Sequence, residues 1–320
     1  MNCTDDSPAI VEVFSLCGQG GRIEFLNETY WIEKVMNTTG LNDAVIDLRG
    51  TLLWSTANIS YWLNNSLPIG FQNQTSAWFL GGNNILFDGH SYGTFNCNGQ
   101  IWYDFTKGVS NLAGRPHALT IWNTHNSTFT GIRFVQSQMW TMTILASSYV
   151  DMLDIFVSST SNDSVHNGDN SIAMKRNSSD VLIEDSVFYI GTGIAIGSTG
   201  QFPGEYEAIE QVLTRNCSFI GTRFVGYIKT WTGVAEITQC TSFSGAVGQC
   251  DTSTMQISNI TWSGLQGSLL TSSVVSLECS GAAPCQDLRI LDSDFTFATN
   301  TTVGTYSCHA VASTEGFTCQ

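Results

Sequence analysis

The chain has 320 residues, 42% of them hydrophobic and only 12% charged, and a formal net charge of −15. That length allows one large core or two ordinary domains and excludes a disordered chain. The acidic balance would repel a phosphate backbone, which excludes nucleic acid as a partner, and no apolar run approaches the roughly 18–20 residues of a bilayer-spanning helix, so no membrane segment is expected.

The opening Met1-Asn2-Cys3-Thr4-Asp5-Asp6 has neither the basic start nor the apolar stretch of an export signal, so such a signal has either been removed or is missing from the sequence as given. Ser7–Leu16 follows with helical periodicity and is expected to cap the open end of whatever sheet comes next. Ten cysteines occur without a Cys-x-x-Cys pair, which disfavours zinc ribbons and thioredoxin-type motifs and favours disulfides. Cys3 and Cys17, Cys240 and Cys250, Cys279 and Cys285, and Cys308 and Cys319 are spaced to close short loops, although connectivity does not follow from spacing alone. Twelve Asn-x-Ser/Thr sequons between Asn2 and Asn300 agree with the extracellular, oxidising compartment those disulfides imply.

From about residue 80, short β-prone runs recur, each followed by Asn, Asp, Ser or Gly. Thr128–Phe134 resembles Asp151–Val157, with Ile132 and Ile155 separated by 23 positions, and similar units stand at Val181–Tyr189, Met255–Trp262 and Leu288–Phe295. Repeats of this length without an intervening amphipathic helix predict an all-β solenoid, a right-handed parallel β-helix, ahead of a β-sandwich. Gly, Ser, Thr and Asn are the turn formers such a fold needs. No linker rich in Pro or charge interrupts the chain, so residues 1–320 are expected to form a single β-helix domain with its short N-terminal helix.

Several segments resemble glycoside hydrolase family 28, the polygalacturonases and rhamnogalacturonases, and in particular their fungal exo-acting branch. They are Cys17-Gly18-Gln19-Gly20-Gly21-Arg22-Ile23-Glu24-Phe25, Asn98-Gly99-Gln100-Ile101-Trp102-Tyr103-Asp104, Arg115-Pro116, Asn167-Gly168-Asp169-Asn170-Ser171-Ile172-Ala173-Met174-Lys175, Gly193–Gln201 and Tyr227-Ile228-Lys229-Thr230-Trp231-Thr232-Gly233. Each is weak alone; their order and spacing span almost the whole chain. The resemblance implies inverting hydrolysis by single displacement, with no metal and no cofactor.

The family pattern carries an Asn-Thr-Asp, an Asp-Asp, a Gly-His-Gly and an Arg-Ile-Lys. By resemblance Asp169 is the general acid. Asn170 stands where the second carboxylate belongs, and an amide cannot take a proton from water at ordinary pH. Thr192 replaces the histidine and Tyr227 the arginine, which implies altered substrate recognition. Lys229 is retained and is expected to pair with a uronate carboxylate, while Trp231 and Tyr227 offer faces on which a sugar could stack. The Asn-Thr-Asp segment should lie about one coil before Asp169, yet the nearest comparable piece, Asn162-Asp163, is only six residues away. A whole coil therefore reads as missing, a loss that a solenoid can tolerate in folding more easily than in chemistry. Asp163 and Glu205 are candidate substitute bases. His166 is the one histidine near the site in sequence, and the five histidines show no metal-ligand spacing.

Three functions compete on this reading. The first is a secreted exo-acting glycosidase, monomeric, with pectic polysaccharide (galacturonan or rhamnogalacturonan) as its partner. The second is a catalytically impaired relative that still binds pectin. The third, a calcium-dependent pectate lyase, lacks the clustered acidic ligands it would need.

Overall fold

The computed structural model describes residues 4–70, 72–109, 111–161, 170–200, 205–231, 239–240, 251–298 and 303–320. The strands form a parallel solenoid with three faces, as the repeats predict. One face stacks Trp78–Asn83, Leu119–Trp122, Met142–Leu145, Ile172–Met174, Ile194–Thr199, Gly226–Trp231, Ser273–Glu278 and Thr305–His309, each hydrogen-bonded in parallel to the next. A second face carries Ser148–Leu153, Ser178–Glu184, Ala208–Arg215 and Gln256–Ser263, and a third Phe156–Ser158, Val187–Tyr189 and Ser218–Thr222.

Parallel in-register stacking places like beside like inside. On the second face Phe87, Phe129, Met152, Ile183, Thr214, Trp262 and Ile290 are successive register partners, all buried. The 23-residue spacing seen in sequence is a true register: Thr128 pairs with Asp151 and Arg133 with Phe156. Between the second and third faces the chain turns through one residue per coil at positive φ, and Gly131, Asp154, Asp185, Asn216, Gly264 and Asp292 occupy that corner. These are residue types that tolerate the left-handed region, and Asn216 Nδ2 donates to Asp185 Oδ1 across it.

The expected N-terminal helix spans Ser7–Cys17 with Pro in its first turn. It buries Ile10 and Phe14 against the first coils, the Phe14 ring meeting Trp78 edge-on at 5.6 Å. Two further short helices, Ile59–Asn65 and Gly99–Thr106, interrupt the coils. The first is capped by Asn58, whose side chain accepts from Tyr61 N at 2.9 Å, and pinned by Trp62, whose indole donates to Ser55 O. Two of the sequence-spaced cysteine pairs are bonded, Cys279–Cys285 and Cys308–Cys319. Cys17 is a free thiol, and Cys3, its expected partner, lies outside the described residues. The side chains of Cys240 and Cys250 lie outside the described residues. No described helix is long and apolar enough to cross a membrane.

Candidate active site

Along the first face, strand alternation sends Ile172, Met174, Ile194, Ile196 and Ile228 into the main core and turns Ala173, Ala195 and Tyr227 outward. The outward set packs with Met139, Trp140 and Phe224 in a second apolar cluster. Asn170 and Thr192 sit immediately before their strands, on adjacent coils. Thr141 N donates to Asn170 O at 3.0 Å, and Ser171 N donates to Gly193 O at 3.0 Å, which locks the coils in register at this edge.

Three of the sequence-predicted residues converge there. Thr192 Oγ1 donates to Asn170 Oδ1 at 3.0 Å, and the Tyr227 hydroxyl lies 3.4 Å from Thr192 Oγ1. With the Thr192 proton committed to Asn170, the tyrosine is the donor of that second contact. Asn170 is only 1% exposed, and its Nδ2 is buried without a hydrogen-bond partner. Lys229 places its ammonium 4.8 Å from the centre of the Tyr227 ring and stands in register beside Glu278. Trp231, two residues on, is half-buried, and its indole N–H makes no hydrogen bond. Asp169, Asp163 and His166 lie outside the described residues.

On the first face, the stretch of the preceding coil that stacks against Asn170 runs Ser137-Gln138-Met139-Trp140-Thr141-Met142-Thr143-Ile144-Leu145 and contains no carboxylate. Its strand pairs directly with the next one, Met142 opposite Ile172, so no coil intervenes. Glu205 is not near Asn170: its carboxylate meets Arg176 at 2.6 Å, at the far end of the Ile172–Met174 strand. Six residues of extended chain separate Asn170 from Arg176, ~20 Å. That geometry removes Glu205 as a substitute base at the Asn170 edge.

Two groups that sequence reasoning missed lie on the same face. Trp140 is sandwiched between His117, stacked at 4.4 Å and 19°, and the Lys175 ammonium, 4.4 Å from its ring centre. Lys175, 1% exposed, also donates to Gly197 O, and His117 Nδ1 meets Thr143 Oγ1 at 2.7 Å. Burial, and secondarily the Lys175 charge, holds the His117 imidazole well below its usual pKa, so it is neutral here. The three come from three different coils, and only their shared outward position links them.

Glu207 is the other missed group. It is fully buried, accepts from Gly200 N at 2.6 Å and lies 3.4 Å from Arg176. Burial raises its carboxyl above the usual 4.5, against the lowering by Gly200 and Arg176. A carboxyl raised on folding holds its proton more tightly in the folded chain. Its contribution to stability is therefore complete below the unfolded value and is lost as pH rises toward the folded one. Relative to Glu207→Gln, the unmodified protein is expected to lose melting temperature as pH climbs from 4 to 7; parallel melting curves for the two proteins across that range would refute this.

Elsewhere, on the second face, Asp47, Asp88 and His90 bring possible metal-ligand atoms within 4.8 Å of one another, a grouping the histidine spacing did not suggest. Arg22 already pairs with Asp47, and both His90 nitrogens face carboxylates, at 2.9 Å from Asp47 and 3.3 Å from Asp88. The trio is a closed ion-pair network away from the Asn170 edge.

Comparison with known proteins assigns the chain to a family. Residues 36–247 match Glycosyl hydrolases family 28, and the chain belongs to that family. It is 42% identical to the protein named alpha-L-rhamnosidase rgxB of Aspergillus niger, over 98% of this chain and 86% of that one. It is 31% identical to an exopolygalacturonase of Cochliobolus carbonum over 72% of this chain and 56% of that one. Among solved structures it resembles the endo-xylogalacturonan hydrolase of Aspergillus tubingensis, with a TM-score of 0.68 at 18% identity over 99% of this chain and 95% of that one. The stretch aligned with the rhamnosidase runs to 372 positions against the 320 residues here, so at least 52 of its positions have no counterpart in this chain. That shortfall is large enough to hold the missing coil.

Proposed function

We propose that this chain is a secreted, exo-acting glycosidase that releases terminal galacturonosyl or rhamnosyl residues from pectic polysaccharide by inverting hydrolysis of an α-glycosidic bond. The observation that carries the reading is the convergence of Asn170, Thr192 and Tyr227 on one edge of the outer face, next in sequence to Asp169. Asp169 would protonate the departing oxygen, and Lys229 would meet a uronate of the bound chain. Asn170, an amide, cannot deprotonate the attacking water. Positioned general bases contribute about 10²–10⁴-fold, so turnover is expected to fall short of a site with both carboxylates by a factor in that range. The two disulfides and the exposed sequon asparagines, such as Asn126, Asn177 and Asn216, support secretion and glycosylation.

The carboxylate-free stretch Ser137–Leu145 beneath Asn170 also suits a relative that binds pectin without cutting it. Glycosidases among the relatives, one covering 98% of this chain, favour hydrolysis over that alternative. The discriminating experiment incubates the purified chain with polygalacturonate and with rhamnogalacturonan oligomers and follows new reducing ends, with the anomer of the released sugar read by NMR. Release of a terminal sugar with inverted configuration supports the glycosidase. Retained binding to both polymers with no product would replace it with the binding relative.

A further inference from the structure

We propose that Thr192 and Tyr227 are positioning residues that set terminal-sugar specificity: they fix the Asn170 amide as a buried hydrogen-bond donor for an uncharged terminal sugar of the rhamnosyl type, in preference to a galacturonosyl end. The proposal rests on the glycosidase reading above and adds the identity of the sugar at that edge.

The three positions at which this chain departs from the family's charged pattern are not scattered. They lie on three consecutive coils and form one chain of contacts, from the Tyr227 hydroxyl to Thr192 Oγ1 to Asn170 Oδ1. Two amide orientations are available to an asparagine, and the Thr192 donor selects the one with oxygen toward itself and Nδ2 away. Nδ2 is consequently presented as a donor, buried, with no partner in the protein. Buried polar groups in folded proteins are nearly always paired, and an unpaired donor on a sugar-processing face is accounted for by an oxygen that arrives with the ligand.

Charge decides which sugar. Asn170, Thr192 and Tyr227 carry none at neutral pH, and Asn170 and Tyr227 are buried. A uronate carboxylate brought to this edge would lose water without gaining a counter-charge from these three groups, whereas a hydroxyl or ring oxygen satisfies the amide at no such cost. The nearest cation on the strand, Lys229, stands two residues beyond Tyr227, ~7 Å along the chain, with its ammonium over the tyrosine ring. Its charge lies against the Tyr227 ring and beside Glu278, its register partner. Lys175 is engaged with the Trp140 ring and Gly197 O.

The test uses the full chain carrying Asp169→Asn, so that oligomers are not consumed, and measures Kd by calorimetry. The probes are two rhamnogalacturonan oligomers of equal length, one with a rhamnosyl and one with a galacturonosyl non-reducing end. The rhamnosyl-ended oligomer is expected to bind about 10-fold tighter or better. Thr192→Val should erase that preference by weakening the rhamnosyl-ended oligomer alone, and Thr192→Ser, which keeps the hydroxyl, should retain it. Equal affinities, a galacturonosyl preference, or a Thr192→Val loss that falls on both oligomers and is not rescued by serine would overturn the proposal. Failure of the glycosidase reading looks different: no product from the unsubstituted chain, with the binding preference intact.

Discussion

Replacing Asp169 by asparagine is expected to lower release of terminal sugar from pectic oligomers by about 10²–10⁴-fold, the range a positioned general acid contributes, while leaving oligomer affinity nearly unchanged. The size of the effect follows from what surrounds the site. Glycoside cleavage ordinarily divides its proton work between two carboxyl groups. Here the second position is an amide, and the stretch stacked beneath it, Ser137–Leu145, supplies no acid. Glu205, the carboxylate that could have stood in, is bound to Arg176 at the opposite end of the strand. With no base at the Asn170 position, protonation of the leaving oxygen is the main chemical assistance left there, and its loss should be nearly complete. Asparagine has the size and hydrogen-bonding capacity of aspartate, so the comparison removes the proton and little else. Initial rates and Kd values, measured side by side, separate this outcome from a loss of binding; a variant retaining a third of the original rate would place the acid elsewhere. Restoring a carboxylate by Asn170→Asp should not raise the rate to that of the family's full carboxylate set, because the stretch stacked against it, Ser137–Leu145, offers no partner acid.

Much of the architecture was readable before any coordinates. The Ile132-to-Ile155 spacing coincides with the register of two coils because parallel stacking demands similar inward residues one above the other, and the Asn, Asp and Gly after each run mark the corners that need positive φ. The repeat looks degenerate because the period is not constant. On the first face successive strands are offset by 23 residues from Leu119 to Met142, 30 from Met142 to Ile172, 22 from Ile172 to Ile194 and 32 from Ile194 to Gly226. The helices Ile59–Asn65 and Gly99–Thr106 were invisible for a different reason: two turns are too few for an apolar period to emerge. At the site, Asn170, Thr192 and Tyr227 were each recognisable as departures from a pattern. That they touch depends on coil offsets that sequence did not reveal. His117, Trp140 and Lys175 carried no local signal at all, since each comes from a different coil.

Trp78→Ala should be among the most destabilising single changes in the molecule, at about 3–5 kcal/mol by the usual cost of deleting a buried tryptophan. The ring is completely buried where three elements meet. It stacks on Phe95 at 5.7 Å and 21°, tilts against Trp54 at 6.5 Å, and receives the edge of Phe14 from the N-terminal helix. Its indole also donates to Thr38 Oγ1 at 2.8 Å, and Thr38 in turn donates to Phe79 O. Truncation removes the floor on which that helix docks and opens a cavity between stacked coils that cannot collapse, because each coil is held at the strand spacing by its neighbours. In a solenoid such damage stays local: coils interact with nearest neighbours only, so weakening at Trp78 should appear first as loss of amide protection in Ser7–Cys17 and the first coils, with the later coils, including the Asn170 edge, protected until global unfolding. Hydrogen exchange resolves that order, and urea titration gives the magnitude. Trp78→Phe, which keeps the stack on Phe95 and gives up the Thr38 bond, should cost much less. A loss under about 1 kcal/mol for the alanine variant would mean that the cavity can close, and that the aromatic stack is not what holds the helix to the first coils.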